Sequence, residues 1–148
     1  MRALLIATLL CAACGDDGSE PLFPEDYATI FTEVRDCRPS SDHDLNNIRV
    51  LANAAAAGPY VDRDAPIPEG ALLLKEEFDF GDIDCTGEIK QWTVMQRRAP
   101  GSSSNTLDWG WQRVDWNRNV VTEDEPRCIG CHQGCVAPSG YEFTCTVP

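Results

Sequence analysis

The feature that most constrains this chain is the run Cys128-Ile129-Gly130-Cys131-His132, which has the pattern C-x-x-C-H. Two thiols three positions apart can add to the two vinyl groups of a haem, and the imidazole that follows is then carried to the iron. The motif predicts one covalent haem c per chain, with Cys128 and Cys131 as attachment points and His132 as the axial iron ligand. Because a porphyrin needs a large apolar enclosure, the rest of the chain has to supply one.

Two other structures could use the same residues. The motif and Cys135 together form a Cys₃His set of the kind that binds structural zinc. Six of the cysteines could also close as three disulfides. Exported proteins seldom keep thiolates for zinc in oxidising surroundings, which favours haem over zinc.

The start of the chain indicates export. Residues 1–10 form an apolar run behind one positive charge, and this run is too short to span a bilayer. It ends in Cys11-Ala12-Ala13-Cys14-Gly15, which resembles the lipobox of bacterial lipoproteins. We predict a lipoprotein signal peptide at 1–13, acylation of Cys14, and a lipid anchor on a bacterial membrane facing the periplasm or cell exterior. An ordinary signal peptide is the alternative.

The residues after the signal suffice for one domain. We predict a polar tether at 14–22 and a single domain at 23–148. The formal net charge of −12 comes without the basic patch that nucleic acid requires, so that class of partner is excluded. The same acidity argues against binding to an anionic membrane face, so membrane contact is expected through the lipid anchor only.

Eight cysteines are many for 148 residues. Cys11 leaves with the signal peptide, Cys14 takes the lipid, and the haem motif uses two more. The four that remain can form two disulfides, and an exported location permits this. Three pairings stay open among these four: Cys37, Cys85, Cys135 and Cys145.

Hydrophobic patterning predicts an α+β domain. Helical spacing from Tyr27 to Val34 predicts a helix that ends near Cys37, and a brief helix is expected at 52–57 with its stop at 58–59. Strands are predicted at 48–51, 71–78, 89–97 and 109–115. The expected fold is an antiparallel β-sheet of about four strands with one or two N-terminal helices, and the haem motif on a late turn or short helix.

Four blocks, in this order, resemble cytochrome P-460 and its relative cytochrome c′-beta: residues 68–76, 92–95, 108–111 and 128–132. These relatives are β-rich monohaem proteins with the attachment motif near the C-terminus. The resemblance covers roughly residues 24–135. It implies a cytochrome P-460-like fold that binds, or slowly converts, a small nitrogen oxide (nitric oxide or hydroxylamine) or another diatomic gas. It also implies a homodimer.

The resemblance gives Lys75 a candidate role. In the cross-linked members, a lysine on the corresponding strand is bonded through its side chain to the haem ring, so Lys75 is the candidate haem cross-link. The alternative is a solvent-facing lysine, salt-bridged to Glu76 and Glu77. Period-two alternation places Lys75 on one face with Leu73, which favours its partial burial.

The resemblance also implies a distal glutamate, which this sequence lacks at the expected place. Hydroxylamine-oxidising members carry this proton acceptor on the next strand, where the register gives Thr93 or Val94. Glu88 is the nearest acid and comes too early in the chain. Loss of a positioned base lowers the rate of proton transfer by about 10²–10⁴-fold. Efficient hydroxylamine or nitric-oxide oxidoreductase activity is therefore not expected, and whether the protein is an enzyme stays open.

Two rival functions remain open. An electron-transfer cytochrome needs a second axial ligand, for which His43 or Met95 is the candidate, and a basic redox partner protein could dock on the acidic loop 123–125. A disulfide-stapled lipoprotein without haem, acting as a binding module, is the other. His43 is more simply a loop residue bonded to neighbouring carboxylates, and Met95 a core thioether. We expect the four tryptophans to lie in the core and in the walls of the haem pocket: Trp92, Trp109, Trp111 and Trp116.

Overall fold

The computed structural model describes residues 18–138 and 140–148. The predicted signal peptide, the predicted lipidation site Cys14 and the tether up to residue 17 lie outside these ranges. The end of the predicted tether is bonded to the sheet, because Leu22 N donates to Gln112 Oε1 (2.8 Å). Within the two described ranges, no helix combines the length and apolar character needed to cross a membrane.

Three short α-helices, one 3₁₀ turn (Ser104–Thr106) and six strands make up the described part of the chain. In chain order the α-helices and strands are α1 (Tyr27–Ile30), β1 (Thr32–Pro39), β2 (Asn47–Ala52), α2 (Ala54–Asp62), β3 (Leu72–Phe78), β4 (Gln91–Arg97), β5 (Trp109–Asp115), β6 (Val120–Glu123) and α3 (Pro126–His132). The strands form one antiparallel sheet in the order β1-β2-β3-β4-β5-β6. The predicted α+β class and the two N-terminal helices are confirmed, but the sheet has six strands rather than about four.

The first additional strand replaces most of a predicted helix. Residues 27–30 complete a single helical turn, and the backbone then becomes extended at Phe31 (φ −90°, ψ 152°). From Thr32 onward the chain pairs with β2, with two register shifts along the strand. Thr32 and Val34 are β-branched, and pairing with a neighbouring strand outweighs the helical spacing of the apolar residues.

The second additional strand follows a tight turn after β5. Asp115 Oδ1 accepts hydrogen bonds from the backbone N–H groups of Asn117 (2.9 Å) and Asn119 (2.8 Å). This side chain closes the turn in the manner typical of aspartate. The chain therefore reverses, and β6 pairs with β5 in a segment for which the sequence predicted no strand. Only its last residue, Glu123, belongs to the predicted acidic loop.

Helix α2 continues past its predicted stop. Asn53 caps its start, because Asn53 Oδ1 accepts from Ala56 N (3.1 Å). Pro59 lies inside the helix and cannot donate a backbone hydrogen bond, yet the helix runs on to Asp62. The next residue, Tyr60, is completely buried, so tertiary packing compensates for the lost bond.

Alternation along the strands places a hydrophobic cluster on each face of the sheet. The first face carries Phe23, Tyr27, Leu51, Leu72, Leu74, Trp92, Val94 and Val114. The second carries Val34, Val50, Ala52, Ala56, Tyr60, Ile67, Ala71, Leu73, Met95, Trp109 and Trp111, against which Cys128 and Ile129 of α3 pack. All seven residues of β3 are buried because both of its faces are covered.

The expectation for Trp116 was wrong, since it is 68% exposed beside the β5–β6 turn.

Tyr27 should stabilise the packing on the first face of the sheet through a buried relay of two hydrogen bonds. Trp92 Nε1 donates to Tyr27 Oη (3.0 Å), and Tyr27 Oη donates to Glu76 Oε1 (2.8 Å). Tyr27→Phe leaves a buried donor and a buried carboxylate oxygen without this partner, so chemical denaturation should show an unfolding free energy lower by about 1–3 kcal/mol. Tyr141→Phe is the matched control, because its hydroxyl bonds to Ala65 O at an exposed site and its removal should change stability by about 0.5 kcal/mol or less. Equal losses in the two variants would contradict a special contribution from the buried relay.

Candidate functional site

A cavity of about 470 Å³ lies between the second face of the sheet and the chain segments that cover it. Two cross-strand rows form its floor. An apolar row pairs Leu73, Met95 and Trp111, and a polar row pairs Val50, Lys75, Thr93 and Arg113. α3 and the C-terminal tail contribute the opposite wall, including Cys128, Cys131, His132 and Thr144. Cavities of about 300–1,000 Å³ are typical of small-molecule and cofactor sites.

α3 presents the C-x-x-C-H motif to this cavity. Pro126 stands at the start of the helix, where a residue without an N–H is tolerated. Cys128 and Cys131 are three positions apart, so they lie on one side of the helix. Both are free thiols, so the six cysteines do not close as three disulfides. Burial raises the pKa of the Cys128 thiol, with a smaller contribution from Glu125, and keeps the thiol protonated at neutral pH.

The orientation of His132 is fixed by a backbone carbonyl. His132 Nδ1 lies 2.7 Å from Phe143 O. Because a carbonyl oxygen can only accept, Nδ1 carries the proton and Nε2 keeps a free lone pair. The ring of Trp111 packs against the imidazole with centroids 4.8 Å apart. Burial, followed by the nearby Lys75 charge, lowers the pKa of His132 to about 3, so the imidazole is neutral at neutral pH. A neutral imidazole with its second nitrogen bonded to a carbonyl is the usual form of a metal-ligating histidine.

Lys75 lies in the polar row and is only 6% exposed. The solvent-facing alternative for this lysine is therefore wrong. Its Nζ is hydrogen-bonded to His43 Nε2 (3.1 Å). Burial lowers the pKa of Lys75 to about 8, although the charge of Glu77 acts in the opposite direction. A substantial fraction of the amine is consequently neutral in mildly alkaline solution.

Glu77, which we had not selected as a site residue, is fully buried in the same cavity. Its carboxylate is held by four side-chain donors: His43 Nδ1 (2.9 Å), Asn46 Nδ2 (3.0 Å), Gln91 Nε2 (2.9 Å) and Thr93 Oγ1 (3.0 Å). Burial alone raises the pKa of Glu77, but the hydrogen bond and charge of His43, with the bonds from Gln91 and Asn46, outweigh it and lower the pKa to about 2. The cavity thus contains a permanently ionised carboxylate at neutral pH.

A signal for Glu77 was present in the sequence. The alternation that puts Lys75 on one face with Leu73 puts Glu77 there too, whereas the family resemblance predicted the acid on the following strand. On that strand Thr93 pairs directly with Lys75 and contributes only a hydroxyl. Glu88 is exposed and does not line the cavity. The buried acid of the cavity, Glu77, therefore lies on β3 and not on the following strand.

His43 bridges the two buried charges. It lies in the loop between β1 and β2, with Nδ1 facing Glu77 and Nε2 facing Lys75. It is bonded to a carboxylate, as expected, but that carboxylate belongs to Glu77 rather than to Asp42 or Asp44 beside it. Both ring nitrogens have partners within the protein, so His43 offers no free nitrogen as a second axial ligand.

The four remaining cysteines form two disulfides. Of the three pairings that the sequence left open, the structure has Cys37–Cys85 and Cys135–Cys145. Because Cys135 is bonded to Cys145, the Cys₃His set lacks its third thiolate. This pairing removes the zinc alternative.

The residues of the cavity fit a haem. The motif supplies two free thiols and a histidine with a free Nε2, and the apolar row supplies a flat, largely buried wall. Arg113, in the polar row, has a buried Nε without a hydrogen-bond partner among the residues that the structure describes. A haem carries two carboxylates, which are suitable partners for an unpaired guanidinium nitrogen.

Comparison with known proteins identifies a family. A family model described as Cytochrome P460 matches residues 24–144, which is most of the chain. No curated protein gives a significant match. The matched range includes the sheet, α3 and Phe143.

The ionised Glu77 should make the free energy of unfolding depend on pH in the acid range. Its ordinary pKa of 4.5 falls to about 2 in the folded protein, so the stability it contributes is present above pH 4.5 and is lost as the pH falls from about 4.5 to about 2. The full loss is about 3 kcal/mol. Urea unfolding across this pH range should show a smaller pH dependence for Glu77→Gln than for the wild type. Glu88→Gln, at an exposed position, should keep the wild-type dependence; a wild-type dependence in Glu77→Gln as well would contradict the network described above.

Proposed function

This chain belongs to the cytochrome P460 family, whose members are haem cytochromes, and we propose that it is an exported monohaem c-type cytochrome that binds a small nitrogen oxide. The observation that carries the proposal is the state of His132. Its Nδ1 is bonded to Phe143 O, its Nε2 has no hydrogen-bond partner among the residues that the structure describes, and two free thiols lie on the same helix. In this proposal Cys128 and Cys131 form the thioether bonds and His132 binds the iron.

The bound haem supplies an iron centre that can coordinate nitric oxide or hydroxylamine and exchange electrons with it. What the protein contributes is the proximal ligand, the enclosure and the control of protons. His43 has both nitrogens engaged, and Met95 lies in the apolar row between Leu73 and Trp111. These placements favour a vacant ligand position over an electron-transfer cytochrome with two axial ligands.

Proton transfer is the proposed task of His43 and Glu77. His43 Nδ1 lies 2.9 Å from Glu77 Oε1, and His43 Nε2 lies 3.1 Å from Lys75 Nζ, the nitrogen proposed below as the cross-link. When His43 accepts a proton on Nε2, the ionised Glu77 stabilises the resulting imidazolium, as the carboxylate does in a Ser-His-Asp triad. The cavity therefore contains a proton acceptor in place of the expected distal glutamate. This supports slow conversion of hydroxylamine as part of the proposal.

We propose Lys75 as the haem cross-link. The amine is buried in the cavity floor, and its lowered pKa provides the neutral form. Joining Nζ to a ring carbon would replace one N–H and one C–H bond with a C–N bond and would remove two electrons, so the cross-link would require an external two-electron oxidant such as a peroxide. We also propose export with lipidation at Cys14, and the two disulfides, which persist in oxidising compartments, support the export. A redox partner protein and a homodimer remain predictions from the sequence.

Nitric oxide binding tests the function. The chain is expressed in a host that attaches haem c, reduced, and exposed to nitric oxide. We expect a shifted Soret band because a ligand position is vacant. In the Lys75→Arg background, where no cross-link can hold the haem, Cys128→Ala/Cys131→Ala should retain no haem after denaturing electrophoresis, whereas Cys37→Ala/Cys85→Ala should retain it. A colourless wild-type protein, or a Soret band that nitric oxide leaves unchanged, would contradict the proposal.

Substitution of Lys75 tests the cross-link separately. Lys75→Arg keeps a positive charge but cannot form the same bond, so the absorption spectrum of the haem-loaded protein should change. Peptide mass spectrometry should show the haem joined to the Lys75 peptide and to the motif peptide in the wild type, and to the motif peptide alone in the variant. Haem-bearing fragments that match in the two proteins would exclude the cross-link.

A further inference from the structure

The C-terminal tail forms a closed loop beside His132. The Cys135–Cys145 disulfide joins the segment after α3 to the tail. Within this loop, Phe143 is held at both of its backbone polar groups: Phe143 N donates to Cys135 O (3.0 Å), and Phe143 O accepts from His132 Nδ1 (2.7 Å). The loop thus connects a covalent bond to the hydrogen bond that orients the imidazole.

The turn that presents the Phe143 carbonyl has an unfavourable backbone conformation. Glu142 and Phe143 have φ angles of 49° and 67°, in the left-handed region that residues with a side chain rarely adopt. The turn is closed by Thr144 N to Tyr141 O (2.7 Å) and Tyr141 N to Thr144 O (3.1 Å). Two successive left-handed residues are typical of a type I′ turn, in which Asn-Gly is preferred over a pair such as Glu-Phe. Such a conformation persists only where its surroundings hold it.

Contacts with the sheet hold this turn in place. Trp109 Nε1 donates to Glu142 O (3.1 Å), and Arg97 donates to the Glu142 carboxylate (3.0 Å). At Gly140 a Cβ atom would lie 2.6 Å from the backbone of Cys135, so the loop can close this tightly only with glycine. Side-chain anchors, close backbone packing and the disulfide all maintain the position of one carbonyl.

We propose that the Cys135–Cys145 loop positions the proximal ligand and sets its strength as an electron donor to iron. By holding Phe143 O on His132 Nδ1, the loop fixes the tautomer and makes Nε2 more basic. A more basic axial ligand stabilises the oxidised iron relative to the reduced iron, so the loop lowers the reduction potential. This inference rests on the proposed function, since it requires His132 to bind the haem iron. The cysteines, Gly140 and Arg97 are positioning residues because they act through His132.

The haem-loaded double variant Cys135→Ser/Cys145→Ser tests this inference. We expect a higher midpoint potential, and a lower iron–histidine stretching frequency in resonance Raman spectra of the reduced protein, because His132 loses part of its basicity. Cys37→Ser/Cys85→Ser is the matched control, since it removes a disulfide whose cysteines do not line the cavity. Its unfolding midpoint should fall, but its potential and stretching frequency should match those of the wild type.

Arg97→Gln provides a second test that keeps both disulfides. It removes one anchor of the turn, so the same two quantities should shift in the same direction by a smaller amount. If the disulfide variant does not fold, Arg97→Gln alone tests whether the loop positions His132.

Wild-type values of the potential and the stretching frequency in haem-loaded variants would overturn the positioning role while leaving haem binding intact. Equal shifts in the two double variants would overturn it as well, because they would reflect disulfide loss in general. A wild-type chain that takes up no haem would instead overturn the proposed function on which this inference rests.

Discussion

A single hydrogen bond, from His132 Nδ1 to Phe143 O, determines which nitrogen of His132 can act as a ligand in the cavity. A carbonyl oxygen cannot donate, so the bond selects one tautomer and leaves one ring nitrogen available. The surrounding structure maintains this arrangement: Trp111 packs against the ring and the C-terminal tail brings the carbonyl to it. Without that bond, the same five-residue motif would specify a histidine of undefined tautomer and orientation.

The sheet places apolar and charged groups side by side on one face. In β3, Leu73 points into the apolar row, and Lys75 and Glu77 follow it on the same face. Burial of two charges is costly unless they are paired and hydrogen-bonded. Here His43 lies between them and four donors satisfy the carboxylate, so the charges persist inside the protein. One cavity therefore suits both a flat apolar ring and a small polar ligand.

The parts of the structure that depend on local spacing could be predicted from the sequence. The positions of Cys128, Cys131 and His132 on a short helix, and strands β2 to β5, follow from motif and period-two patterns. Other parts depend on partners far away in the chain. Residues 32–34 form a strand because β2 pairs with them, and the His132 tautomer depends on Phe143 in a turn with no glycine to indicate it. Disulfide pairing also requires the fold, since sequence parity allowed three choices. Glu77 was missed for a different reason, because strand alternation did indicate its face.

The Cys37–Cys85 bond has a consequence for the loop that carries His43. Its two cysteines are 48 positions apart and enclose β2, α2 and β3 in a covalent ring, with the His43 loop inside it. The edge strand β1 is thereby fastened to the connection that follows β3, so the bond limits how far the loop can move from the sheet when this edge frays. If the hydrogen bonds of the imidazole opened transiently, this covalent ring would keep the side chain in the neighbourhood of Glu77 and Lys75.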